Sequence, residues 1–183
     1  WAYGDKKNQI NDTFSHSKTY NGYTHLYLVT RLDGYTVEQV KGLIDNSIKA
    51  SSVTVARKYL FDAGSGPGGN EPFENGANIL KAYGLNVIYD ANVTTFATGY
   101  KDLGGYFSWG SNALGNFTLA KYQDLFFAPG AIGETFVSTG GRTFILPDTW
   151  PNYESQSLIA DLIKNGITGV SGYVSEPYLD GCI

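Results

Sequence analysis

Methionine is absent from this chain, cysteine occurs once, histidine twice, and charged residues fill only 16 % of its 183 positions. Each shortage excludes something. A single cysteine, Cys182, cannot close an internal disulfide, which leaves a free thiol or half of a bridge between chains. The two histidines, His16 among serines and His25, have no second ligand at a spacing that zinc uses. Basic residues are scattered through a chain of net charge −4, so the Lys/Arg patch of a nucleic-acid partner is missing. No apolar run nears the ~20 residues of a membrane-spanning helix. With no methionine and Trp1 in first place, we expect a processed or excised piece of a longer product.

What the chain does have is tyrosine (14) and glycine (23), on a background of Asn, Ser and Thr. Ordinary domains carry about 25 % charge. A surface poor in charge and rich in uncharged polar groups suits a secreted, extracellular protein. It also suits one that associates with itself as a homo-oligomer or filament, because tyrosine gives large contact area at low entropic cost. Three triplets starting at Asn11, Asn92 and Asn116 match the glycosylation sequon, which has meaning only in a secretory eukaryotic or archaeal context.

The periodicities predict α/β architecture: three layers, with a largely parallel sheet flanked by helices in a caspase-like or flavodoxin-like arrangement. Residues 1–22 lack periodicity and read as an N-terminal arm, and 23–183 as a single domain. The near-continuous apolar run from His25 to Leu32 is a buried strand. Thr36–Gln39 fits a capping box ahead of a helix with Val37, Val40, Ile44 and Ile48 inward. Next come a strand over 57–62, a helix over 72–83 and a strand over 85–90. Further strands fall near 105–109 and 124–128, a helix over 155–165 and a last strand over 167–174.

Two of these strands bracket the stretch from Gly104 to Arg142, GGYFSWGSN and then LFFAPGAIGETFVSTGGR. Glycine turns at the carboxyl ends of parallel strands are where ligand sites form in open α/β sheets. Trp109, Ser111, Asn112, Glu134 and Arg142 are therefore candidate ligand-binding residues. None is a catalytic candidate: Ser108, Ser111 and Ser138 lack a base in reach. Asp33, Asp62 and Glu176, with Asp90 and Glu134, offer hard oxygen ligands, enough for a Ca²⁺-like ion or for acid/base hydrolysis. No other cofactor is expected. Gly64, Gly66 and Gly69 spell G-x-G-x-x-G, with Asp90 ending the next strand, the spacing of a dinucleotide fingerprint. Against it, Pro72 starts the helix beyond the third glycine, Pro67 removes a donor, and Asp62 and Glu71 would repel an anion.

Taken together, YLVTRLDG at 27–34, GYFSWGSN at 105–112, FAPGAIGETFVST at 127–139 and the terminal GVSGYVSEPYL resemble an uncharacterised family of secreted bacterial proteins. The resemblance implies export without an assigned activity. A more distant likeness is to caspase- and gingipain-like hydrolases, in which a histidine and a cysteine follow successive central strands. Here Trp109-Gly110 and Pro129-Gly130 stand at those turns, which implies a non-catalytic relative. The function expected is thus a secreted, non-catalytic domain for binding or assembly. A carboxylate- or metal-dependent hydrolase is the alternative, and a nucleotide-binding domain the third.

Overall fold

The structure is a computed structural model that describes residues 30–51, 57–64, 69–113, 116–146 and 156–176. The arm 1–22, residues 25–29 of the first expected strand, Gly66 and Cys182 lie outside the described residues. The chain divides into two compact units, Trp1–Arg31 and Leu32–Ile183. Among the described residues every helix and strand belongs to the second unit.

Helix α1 spans Val37–Ala50. The Thr36 hydroxyl accepts from the Gln39 N–H at 3.3 Å, and the Gln39 side chain reaches back to the Tyr35 N–H at 2.8 Å. Two otherwise orphaned donors are satisfied there. The inward face is not the expected one. Leu43 is buried, while Val37, Ile44 and Ile48 are exposed. Two contacts explain the rotation: the Asn46 amide donates to the Gly166 carbonyl at 3.0 Å, and Ala50 abuts Gly130. The small and polar residues needed at those approaches turn the larger aliphatic ones outward.

The remaining elements are β1 (Lys58–Asp62), α2 (Glu71–Ala82), β2 (Asn86–Asp90), β3 (Leu103–Ser108), α3 (Leu119–Tyr122), β4 (Phe127–Thr135), α4 (Ile159–Lys164) and β5 (Gly169–Ser171). A 3₁₀ turn, Gly110–Ala113, follows β3. Among the described residues the five strands are all parallel, in the order β2-β1-β3-β4-β5. That is the order of flavodoxin-like sheets, in which the chain changes direction between β1 and β3. The α/β class expected from the alternating pattern is the class found.

Strand alternation separates two faces. On one, Phe61 lies against Gly76 of α2 and stacks on Phe107 at 4.8 Å. On the other, Tyr106 packs with Tyr122 of α3 and with Phe127, and the Tyr122 hydroxyl donates to the Leu158 carbonyl beside α4. Helices therefore lie on both sides of the sheet.

One strand boundary differs from expectation. Pro129-Gly130, expected as the turn after a strand ending at Ala128, lies inside β4, which runs on through Ala-Ile-Gly-Glu-Thr. Proline survives there because it stands near the start of the strand, where the pairing with β3 is irregular between Leu103 and Gly105. Gly133 is what lets β3 and β4 close up: a Cβ at that position would sit 2.6 Å from the Tyr106 carbonyl oxygen.

Candidate functional site

The parallel register lines up one polar residue from each of four strands at the carboxyl edge. Asp90 pairs with Asp62, Asp62 with Ser108, and Ser108 with Thr135. Asp62 and Ser108 flank the switch point between β1 and β3, where open α/β sheets place their ligands. Both are buried, as is Thr135.

Asp62 is the electrostatic centre of this row. One carboxyl oxygen accepts from the Ala97 N–H and the other meets the Ser108 hydroxyl, each at 3.3 Å. Ser108 Oγ in turn accepts from the Gly110 N–H at 2.9 Å. Burial pushes the Asp62 pKa up to about 7, with help from the Asp90 charge and against the two hydrogen bonds. Desolvation disfavours the ionised form more than two long hydrogen bonds favour it. Beneath it lies Tyr106, whose fully buried hydroxyl makes no hydrogen bond of normal geometry, as is true of Thr135 Oγ1. The Tyr106 pKa is raised, by burial first and then by the Asp62 charge.

The residues expected to meet a ligand are engaged with the chain itself. Trp109 is 2 % exposed. Its indole donates to Asn70 Oδ1 at 3.1 Å, and its ring packs with Phe73 and Phe136. Ser111 and Ser157 clasp each other: the Ser111 N–H donates to Ser157 Oγ at 3.2 Å and the Ser157 N–H to Ser111 Oγ at 2.9 Å. Gly110 permits this clasp, because with φ at +51° a Cβ there would lie 2.7 Å from Ser157 Oγ. The Asn112 amide donates to the Phe136 carbonyl at 2.7 Å. Arg142 donates to the carbonyls of Thr139 and Gln156 at 3.1 and 3.0 Å.

Beyond the neighbouring pair Asp62 and Asp90, the candidate carboxylates do not converge. Glu134 precedes Thr135 and so faces the other side of the sheet from Asp62; it accepts from the Tyr173 hydroxyl at 2.6 Å and from Ser171 at 3.4 Å. Asp33 accepts from the adjacent Gly34 N–H at 2.8 Å, and Glu176 is exposed near the end of the described chain. Among the described residues no three His, Cys, Asp or Glu side chains are grouped to hold a metal ion. The glycine-rich loop is likewise tied down. The Gly64 N–H donates to Asn70 Oδ1 and Asn70 Nδ2 to the Gly64 carbonyl, at 3.2 and 2.9 Å. Gly69 adopts positive φ just before α2, Gly66 lies outside the described residues, and Asp90 accepts from the Asn92 N–H.

Sequence reasoning missed Asn70, which holds both the loop and Trp109, and the buried hydroxyls of Tyr106 and Thr135. Asn70 carried a usable signal: an asparagine just before a helix with proline in its first turn is a capping type. Compared with protein-family models, curated proteins and solved structures, the chain matches none of them.

Proposed function

We propose that this chain is an exported, non-catalytic α/β domain that works by binding, with a second copy of itself as the partner. One observation carries the binding half of the proposal. Parallel sheets are ordinarily covered on both faces, yet Ile132, in the next-to-last strand, is 57 % exposed. Its row neighbours are Gly105 and Gly169, and half-buried Tyr59 and Phe107 lie on the same face. An apolar strip of this kind, bordered by Glu134 on the same face, can meet its own image about a two-fold axis. The non-catalytic half is supported by the carboxyl edge, where Ser111, Asn112, Arg142 and Trp109 bond within the chain. The family resemblance and the low charge favour export. Among the described residues no helix is long and apolar enough to cross a membrane.

Sedimentation of the full chain over a range of concentrations tests the proposal. The expected result is a dimer or larger species, shifted to monomer by Ile132→Lys. A monomer at the highest concentration, unchanged by that substitution, would overturn it.

Asp62 favours the second reading, a carboxylate hydrolase, because a carboxyl group titrating near neutrality at a switch point is suited to acid/base work. That reading requires hydrolytic activity, with or without a Ca²⁺-like ion, that Asp62→Asn abolishes.

A further inference from the structure

The connection from β2 to β3 begins with a tight turn, Asp90-Ala91-Asn92-Val93-Thr94, whose residues 91–95 are all exposed. Asp90 Oδ1 accepts from the Asn92 N–H at 3.0 Å. Asn92 Oδ1 accepts both from the Thr94 N–H at 3.0 Å and from the Thr94 hydroxyl at 2.6 Å. Both donors fall on the amide oxygen, and Asn92 Nδ2 is directed into no hydrogen bond of the described chain.

From this turn we infer that Asn92 is an N-glycosylation site, modified by a lipid-linked oligosaccharide during export. The inference rests on the export part of the proposed function. Asn92-Val-Thr is a sequon, and chance supplies many sequons, so geometry has to distinguish them. At Asn116-Phe-Thr the acceptor nitrogen is already used, since Asn116 Nδ2 donates to the Val93 carbonyl at 2.7 Å. Thr118 there is the cap of α3, its hydroxyl accepting from the Lys121 N–H. Asn11 lies outside the described residues. Position also distinguishes them. An acidic residue two places before the asparagine offers a charge that a basic group on a transferase can meet; Asn92 has Asp90 there, whereas Asn11 and Asn116 have Gln9 and Leu114.

Chemically, an amide nitrogen is a poor nucleophile because its lone pair is delocalised onto oxygen. Donors aimed at Oδ1 stabilise the charge that gathers there as Nδ2 gives up a proton. Nδ2 then attacks C1 of a glycosyl diphosphate lipid. The N–C1 bond forms, the C1–O bond to phosphate breaks, its electron pair leaves with the lipid diphosphate, and the Nδ2 proton passes to a base on the transferase.

The test is to export the full chain, through an added signal sequence, from bacteria carrying a membrane oligosaccharyltransferase, its undecaprenyl-diphosphate glycan and a second, established acceptor protein. Intact mass and peptide mapping should show one glycan, on the peptide containing Asn92, and none on Asn116. Asn92→Gln and Thr94→Val should abolish it. Asp90→Asn, which keeps an oxygen for the Asn92 N–H, should abolish it too. A bare Asn92 beside a modified control acceptor overturns the inference, as does a glycan on Asn116 alone. Because export is supplied, neither result bears on whether the chain is exported naturally.

Discussion

The carboxyl edge around Asp62 and the sheet face around Ile132 are built from the same strands, yet they treat their side chains in opposite ways. At the edge, polar groups with ligand-binding chemistry are buried or half-buried and spent on other groups of the chain itself. On the face, an aliphatic side chain that would ordinarily be covered stands open. The place where an α/β sheet usually meets its ligand is closed, and a place it usually closes is available. Position in a fold is thus a poor guide to function unless the hydrogen bonds at that position are followed to their ends.

Substitutions can break this contrast. The largest loss is expected from Trp109→Ala, which empties the aromatic cluster under the edge and leaves Asn70 without its indole partner; about 3–5 kcal/mol should be lost in chemical denaturation. Asp62→Asn comes next and acts with pH. The folded-state pKa of Asp62 is raised to about 7 from 3.8, so the native state holds this proton more tightly than the unfolded chain does. Its contribution to stability is complete below pH 3.8, falls as pH rises towards 7, and is fully lost above that. The asparagine variant lacks this fall and should exceed the wild type by a few kcal/mol at pH 8. Urea midpoints for both proteins from pH 4 to 8 check the sign, and parallel curves would refute a raised pKa.

Ser157→Ala should cost about 1 kcal/mol, since the half-buried Ser111 N–H loses its acceptor. Smallest is Ile132→Lys, expected to change stability by no more than about 0.5 kcal/mol. If it also leaves the association state unchanged, the open face has no role in binding. A melting screen with NAD or ATP should be flat, because Asn70 already occupies the Gly64 N–H; a clear rise would restore the nucleotide reading.

Much of the fold is legible in the amino-acid pattern. The capping threonine at 36, Pro72 at the start of α2 and the apolar runs of β1, β2 and β3 mark their elements through local chemistry. What fails is whatever depends on a distant partner. Nothing local says that Leu43 rather than Ile44 faces inward, because the choice is made by Gly130 and Gly166. Proline and glycine at 129 and 130 read as a turn, since the irregular pairing that accommodates them belongs to β3. The same holds at the candidate site. Asp62 and Ser108 can each be picked out as strand-end polar residues, but only the register brings them together and sends Glu134 to the opposite face.

The strand order also has a consequence for how the molecule is made. β1 is bracketed by β2 and β3, so a chain synthesised from its N-terminus completes the β1–α2–β2 unit while the other edge of β1 is still bare. Until β3 slots in, Asp62 has no Ser108 beside it and its strand offers unpaired backbone groups to any neighbouring nascent chain. The Asp62 carboxyl at the end of that waiting edge is still solvated at this stage, and its pKa rises towards 7 only once the sheet closes over it.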